Sequence, residues 1–121
     1  MASGTIKGNG WKVIYTNNSP NSDQGEISQT VDLSAYSEAR LSFMIYKSTS
    51  ARTEYRYMSI DGDISLYMIW FGAYIPTISV RNVHVLSTGY TIEHCKQKAA
   101  NSNSAPTQHD SDLIIVEIAV R

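Results

Sequence analysis

The chain has 121 residues, of which 42% are apolar and 17% are charged, and its formal net charge is −1. This length is typical of one domain and allows a hydrophobic core without stabilising metals or disulfides. Nucleic-acid binding as the main task is disfavoured, because Lys and Arg are scattered and create no strong positive field. The single cysteine, Cys95, excludes an internal disulfide and a cysteine-only metal site, and we expect it to be a buried structural thiol.

The first ten residues, MASGTIKGNG, are expected to be a flexible leader, with the folded domain spanning residues 11–121. The leader lacks the basic start and the apolar stretch of a secretory signal, and no apolar run approaches the length of a membrane span. We therefore expect no membrane insertion. The sequence leaves open whether these residues form a complete protein or one domain of a longer chain.

Short segments that alternate with a period of two, each bounded by turn residues, predict strands throughout, and no segment of ten or more residues has a helical period. The eight predicted strands cover residues 11–16, 26–33, 40–47, 53–61, 64–71, 77–86, 90–96 and 113–120. In the second of these, Ile27, Val31 and Leu33 share one face and polar residues occupy the other, so one face is expected to be wet. This pattern predicts an all-β, antiparallel, jelly-roll-like β-sandwich in a single domain.

The strand ISLYMIWF, residues 64–71, is apolar on both faces. Two apolar faces are easiest to explain if one packs against a second sheet and the other against another subunit. A homo-oligomer is therefore expected, although a monomer stays open if loops cover the outer face. The preceding DGD, residues 61–63, is interpreted as a hairpin turn and not as a calcium loop, because it lacks the further oxygen ligands.

The strand TISVRNVHVL changes phase, since Ile78 and Val80 are even-numbered whereas Val83 and Val85 are odd-numbered. A β-bulge near Arg81 and Asn82 would bring all four side chains to one face, and we predict one there.

The final strand, LIIVEIAV, is apolar on both faces except at Glu117. A strand of this kind is expected between two neighbours inside a sheet, because an exposed edge this apolar would promote aggregation. Its predicted sides are Ile114, Val116, Ile118 and Val120 against Leu113, Ile115, Glu117 and Ala119. Glu117 should then face solvent or a polar subunit contact.

Catalytic and metal-binding motifs find no support in this sequence. His84 and His94 are expected to be ordinary strand residues and His109 a loop residue, and His94 and Cys95 are adjacent on a predicted strand and so point to opposite faces. Asp110 and Asp112 in HDSD are interpreted as a solvated turn in preference to an acid–base pair. No hydrolase, phosphate-loop or zinc-protease motif is present. We therefore expect no enzymatic activity, no cofactor and no bound metal.

Candidate binding residues come from exposed loops and from the surplus of tyrosine, of which there are eight. Tyr and Trp combine an apolar ring with a polar tip, which suits surfaces that bind sugars or proteins, although packing across strands is the simpler explanation for any one tyrosine. The loops KSTSAR, residues 47–52, and QKAANSNSAPTQHDS, residues 97–111, are the predicted binding segments. The candidate ligand-binding residues are Tyr55, Tyr57, Tyr74, Lys47, Arg52, Asn101, Asn103, Gln108 and His109.

The order of features resembles the C-terminal domains of bacteriophage or prophage tail fibres and minor tail structural proteins. The matching stretches are GWKVIYT, GEISQTVDLSAYSEARLSFMIY, RNVHVLSTGYTI and DLIIVEIAVR, and they span nearly the whole chain from Trp11. The resemblance implies a β-sandwich in the virion, exposed to the extracellular medium after synthesis in the host cytoplasm. It also implies a homotrimer that acts in assembly and in adhesion to a host-surface glycan or protein.

Two other classes of function stay open. A carbohydrate-binding module or lectin-like domain of a secreted protein would be a monomer with an exposed Trp or Tyr platform, whereas the tail-fibre interpretation predicts a stable oligomer. A polysaccharide-degrading or peptidase domain would need a cluster of carboxylates or a histidine-centred site, which the sequence does not supply.

Overall fold

A computed structural model describes residues 6–7, 10–47, 53–71 and 75–121. These residues form two antiparallel sheets packed face to face, which confirms the predicted β-sandwich. The strands are β1 (Ile6–Lys7), β2 (Trp11–Thr16), β3 (Ile27–Thr30), β4 (Glu38–Tyr46), β5 (Thr53–Ser59), β6 (Gly62–Trp70), β7 (Thr77–Leu86), β8 (Gly89–Ile92), β9 (Lys96–Ala99), β10 (Thr107–Gln108) and β11 (Asp112–Val120). In the described parts of the chain, no helix is long and apolar enough to cross a membrane.

Sheet A has the strand order β1-β2-β11-β4-β5. In sheet B, β6 pairs with one edge of β7 along its whole length, and β8 and β9 share the other edge of β7. Strand β3 then pairs with β8, and β10 pairs with β9. The chain crosses from sheet A to sheet B at Ile60 and Asp61. The predicted hairpin turn at residues 61–63 is therefore wrong, because β5 and β6 lie in different sheets and β6 begins at Gly62. Asp61 adopts a φ of 66°, a left-handed conformation that Asp tolerates, and its carboxylate accepts a hydrogen bond from the backbone N–H of Ser87.

The core lies between the sheets and comes from alternate residues of the long strands. Its largest fully buried apolar side chains are Phe43, Leu33, Leu41, Ile92, Leu113, Ile115, Ile118, Val83, Val85 and Val120. Burying one such side chain contributes about 1.5–3 kcal/mol, so these strands are held mainly by this shared apolar layer.

Strand β11 lies between β2 and β4, as the sequence predicted. Its predicted faces are wrong beyond Ile115, because the register against β4 shifts between Ile115 and Glu117. Val116 is the extra residue of this β-bulge, and a bulge changes the phase of the side chains that follow it. Ile115 and Ile118 therefore both reach the core, whereas Glu117 lies on the outer face and pairs with Arg40 at 3.4 Å.

Strand β2 pairs with β11 only from Glu117 onward, so the backbone of Ile115 needs another partner. The side chain of Gln24 supplies it, because its Oε1 accepts the Ile115 N–H at 2.7 Å and its Nε2 donates to the Ile115 carbonyl at 2.9 Å. Gln24 is buried, so these bonds replace a missing stretch of strand.

The prediction of a β-bulge near Arg81 and Asn82 is wrong. Strand β7 keeps one continuous register against β6, from Thr77 to Val85. Arg81 is on the core side with Val83 and is fully buried. The prediction failed because it assumed that every apolar residue of the strand faces the core.

Two further differences concern segments without apolar alternation. The polar stretch that follows β8 contains a short hairpin, in which Gln97 of β9 pairs with Thr107 of β10. Within the first ten residues, Ile6 and Lys7 form β1 against Lys12 and Trp11. Backbone pairing holds these short strands, so a hydrophobic pattern could not reveal them.

Candidate functional site

The interior polar cluster is centred on Arg81. Its Nη1 donates to the carbonyls of Gln24 at 3.0 Å and Glu93 at 2.8 Å, and its Nη2 donates to those of Asp112 at 3.0 Å and Asp110 at 3.4 Å. Burial lowers the pKa of the Arg81 guanidinium, and the nearby carboxylates of Asp110 and Asp112 partly oppose that shift. Arg81 therefore links β7 to three other segments of the chain, which is a structural role.

The interpretation of HDSD as a solvated turn is wrong. Asp112 is fully buried, and its Oδ2 accepts a hydrogen bond from the Ser79 hydroxyl at 2.7 Å. Only 10% of the Asp110 side chain is exposed, and its oxygens accept from the Cys95 N–H at 3.0 Å and lie 2.9 Å from His94 Nδ1. The positive charge of Arg81 compensates for the burial of these two carboxylates.

The same cluster does not form a catalytic relay. His109 Nε2 lies 3.0 Å from Ser111 Oγ and 3.4 Å from Asp112 Oδ2, so one nitrogen contacts both groups, whereas a triad needs one nitrogen for each. Burial raises the pKa of the Cys95 thiol to about 11, which disfavours the reactive thiolate and agrees with the expected structural role. Among the residues that the structure describes, no group of His, Cys, Asp and Glu is suited to hold a metal ion.

His84 and His94 precede and follow β8 in the chain and lie in different secondary-structure contexts. His84 lies on β7, as expected, and its two ring nitrogens contact the carboxylates of Asp63 and Glu93. Hydrogen bonding to Glu93, and then to Asp63, raises the pKa of His84. His94 lies between β8 and β9, which corrects its predicted place on a strand.

The outer face of sheet B carries an exposed apolar patch, which we define as Tyr67, Ile69, Ile78 and Val80. Tyr67 is 65% exposed and Ile69 is 53% exposed, and these two residues of β6 pair with Val80 and Ile78 of β7. Beside them in register lie Lys96 and Lys98 of β9. The opposite side of β6 places Leu66 and Met68 in the core, as predicted for a strand with two apolar faces.

The exposed apolar area near this end of sheet B can be estimated from three side chains. Besides Tyr67 and Ile69, Phe71, which follows β6, is 76% exposed. With about 150–250 Å² for a whole aromatic side chain, the exposed parts of Tyr67, Ile69 and Phe71 amount to roughly 400 Å². Apolar patches of about 300–600 Å² are often functional in monomeric proteins.

The other end of the same face holds a shallow depression, which we call the hydroxyl groove and define as Ser28, Thr30, Leu86, Thr88, Gly89 and Thr91. Gly89 pairs with Thr30 on one side and Leu86 on the other, and Thr91 pairs with Ser28. A cavity of about 200 Å³ lies over these residues, and a second of about 230 Å³ adjoins it at Thr30 and Thr88.

Two of the three predicted tyrosines, Tyr55 and Tyr57, lie on the outer face of sheet A. Tyr55 is 51% exposed and Tyr57 is 61% exposed, both on the edge strand β5. The guanidinium of Arg40 lies 5.6 Å from the Tyr55 ring centre and 5.0 Å from that of Trp11. The Trp11 ring is also covered by Arg121 at 4.4 Å. Tyr55, which was predicted as a site residue, therefore belongs to a stack of aromatic rings and guanidinium groups on this face.

The remaining predicted site residues do not join the tyrosines. Lys47 pairs with Asp23 at 2.6 Å. The others lie at the far edge of sheet B, beyond β7 from β6: Asn101 and Asn103 are exposed between β9 and β10, Gln108 lies on β10, and His109 follows it. Arg52 and Tyr74 lie outside the described residues.

Sequence reasoning missed the hydroxyl groove. Its Ser and Thr residues occupy the polar positions of alternating strands, which indicate only a wet face. The signal that was available is the repeated hydroxyl in ISQT and TGYT, but the convergence of these residues depends on the pairing of β3 with β8.

Comparison with known proteins gives no relative, since no family model, no curated protein and no solved structure matches the chain.

Proposed function

We propose that this protein is a non-enzymatic binding and assembly domain whose apolar patch on sheet B is covered in a homo-oligomer. The observation that carries the proposal is the exposure of Tyr67 and Ile69 beside Val80 and Ile78. A surface of this kind costs free energy in water, and a partner removes that cost.

A second copy of the chain is the partner that fits best. The four residues of the patch carry no charge, so the patches of several copies can meet around a symmetry axis without burying an unpaired ion. The roughly 400 Å² that Tyr67, Ile69 and Phe71 expose is about half of the 800 Å² that each partner contributes to a standard interface. Lys96, Lys98 and the neighbouring polar residues would form the rim.

The resemblance to phage tail-fibre domains supports the same class of function. We propose that the oligomer, with three copies as the resemblance implies, is a virion component that acts in tail assembly and in adhesion to a host-surface glycan or protein. A sandwich suits this task because its core fixes the strands while its outer faces can vary.

Sedimentation velocity tests the assembly proposal. Wild-type protein is expected to sediment as an oligomer at micromolar concentration, and Tyr67→Ser combined with Ile69→Ser is expected to sediment as a monomer. The matched control is Tyr55→Ser combined with Tyr57→Ser, which removes two rings of similar exposure from sheet A and should leave the oligomer intact. A wild-type monomer at every concentration would contradict the proposal.

A carbohydrate-binding module is the second candidate, and the exposed rings of Tyr55 and Tyr57 favour it. That candidate requires a monomer whose sugar binding depends on the exposed rings of β5. Light scattering separates the two candidates. A monomer that binds sugar, and loses this binding when Tyr55 and Tyr57 become Ser, would favour the module.

A further inference from the structure

We propose that the hydroxyl groove at the end of sheet B binds a neutral oligosaccharide of a surface glycan. The inference deepens the adhesion part of the proposed function and rests on it. It places the sugar on Ser28, Thr30, Thr88 and Thr91, and not on the tyrosines of sheet A.

The walls of the groove carry the chemistry that a sugar ring needs. The residues that line the first cavity include Ser28, Thr30, Thr88 and Thr91. The hydroxyls of Ser28 and Thr91 share one hydrogen bond of 3.0 Å, so one donor of this pair is left for a ligand. Each hydroxyl can donate one hydrogen bond and accept two, as each sugar hydroxyl does. No Lys or Arg lines either cavity, so an anionic sugar or a phosphate would find no counter-charge.

An apolar wall and a backbone floor complete the groove. Leu86 is 41% exposed at one side and offers methyl groups to the C–H face of a ring. The floor is Gly89, whose φ of 151° strains any other residue, and a Cβ there would lie 2.2 Å from the carbonyl oxygen of Gln29. The close approach of β8 and β3 therefore requires this glycine.

The second cavity extends the groove toward Asp32. The Oδ1 atom of Asp32 accepts hydrogen bonds from the N–H of Ser34 at 3.0 Å and from its hydroxyl at 2.6 Å. These bonds hold the side chain in place beside Thr30 and Thr88, where its carboxylate can accept from sugar hydroxyls. Each cavity is smaller than the roughly 300 Å³ at which sites for drug-sized ligands begin, so each suits a single ring. Because the two cavities adjoin, we expect a ligand of at least two sugar rings.

The groove and the apolar patch lie at opposite ends of one face. Val80 and Leu86 are separated along β7 by about 20 Å, at 3.3 Å per residue. The row of Asp63, His84 and Glu93 lies between them. Assembly through the patch would therefore leave the groove open to a glycan.

Chemical-shift mapping on uniformly ¹⁵N-labelled wild-type protein tests the proposal without any substitution. The probes are neutral trisaccharides of glucose, of galactose and of N-acetylglucosamine, with a glucuronic-acid trisaccharide and inorganic phosphate as anionic comparisons. At least one neutral probe is expected to shift the amides of Thr30, Thr88, Gly89 and Thr91, and the anionic probes to shift none of them. Shifts confined to β5, or no response to any neutral probe, would overturn the proposal.

Substitutions then assign the contact. Thr30→Val and Thr91→Val keep the shape of the side chain and remove one hydroxyl, and each is expected to weaken binding about tenfold. Thr53→Val on β5 is the matched control and should bind as the wild type does. Unchanged affinity in both groove variants would refute the site.

These experiments distinguish a failure of the groove proposal from a failure of the proposed function. If Tyr55→Ser and Tyr57→Ser abolish sugar binding while the groove variants bind normally, the groove proposal fails and adhesion survives. If the protein is a monomer that still binds sugar in the groove, the assembly proposal fails and this inference stands.

Discussion

Replacing Arg81 by Met tests the structural account of the interior most severely. The two side chains are similar in length, but Met has no N–H groups and no charge. The carbonyls of Gln24, Glu93 and Asp112, which now accept bonds of 2.8–3.0 Å, would lose their donor in a buried setting. The buried carboxylate of Asp112 would also lose the favourable electrostatic interaction with the Arg81 guanidinium.

The magnitude follows from these contacts. A buried acceptor left without a donor costs about 1–3 kcal/mol, and removing one partner of a buried charged cluster costs about 3–5 kcal/mol. We therefore expect Arg81→Met to lower the free energy of unfolding by about 4 kcal/mol. For a domain whose total stability is about 5–15 kcal/mol, this loss is roughly a quarter to four fifths of the total.

Urea denaturation followed by circular dichroism measures the effect. With a denaturant slope of about 1.5 kcal/mol/M, the midpoint should fall by roughly 2–3 M. The matched control is Arg56→Met on the edge strand β5, because Arg56 is exposed and donates to the carbonyl of Tyr55 at 2.9 Å. This control should change stability by less than about 1 kcal/mol. A midpoint for Arg81→Met within about 0.5 M of the wild type would refute the reasoning.

Three further predictions concern the last strand, a histidine and the cysteine. Deleting residues 113–121 should abolish folding, because β11 joins β2 to β4, and a soluble truncated chain with a cooperative melt would disprove this. Because the folded-state pKa of His84 is raised, its contacts with Glu93 and Asp63 stabilise the fold fully when the pH is below the ordinary histidine pKa of about 6.5. This stability is lost as pH rises through the higher folded-state pKa. Thermal melts against pH should show the loss in the wild type and not in His84→Gln. Cys95, with its pKa raised to about 11, should react with a thiol reagent at pH 8 only after unfolding, and rapid labelling of folded protein would count against burial.

The fold could be predicted from sequence where apolar residues alternate and turns punctuate them. The central position of β11 is one example, because an apolar strand with one charge has few other stable places. The position of Arg81 could not be predicted, because its burial is stabilised by carbonyls from three distant segments. The bulge at Val116 was equally hidden, since a run of Ile and Val fits either phase.

Of the two candidate surfaces, one could be predicted from the sequence and the other could not. The apolar outer face of β6 was expected from its sequence, because a strand with two apolar faces needs two partners. The hydroxyl groove depends on Gly89 bringing Thr30 close to Thr88 and Thr91, and such a juxtaposition arises from strand register alone. The repeated hydroxyl residues in ISQT and TGYT were a signal in the sequence, but they do not reveal that the two strands pair.

Hydroxyl-radical footprinting at increasing protein concentration tests most directly whether the apolar patch is an assembly surface. Side-chain oxidation of Tyr67, Ile69 and Phe71 should fall as sedimentation shows the oligomer forming, while oxidation of Tyr55 and Tyr57 stays constant. Oxidation of Tyr67 that remains as fast in the oligomer as in dilute protein would contradict the account.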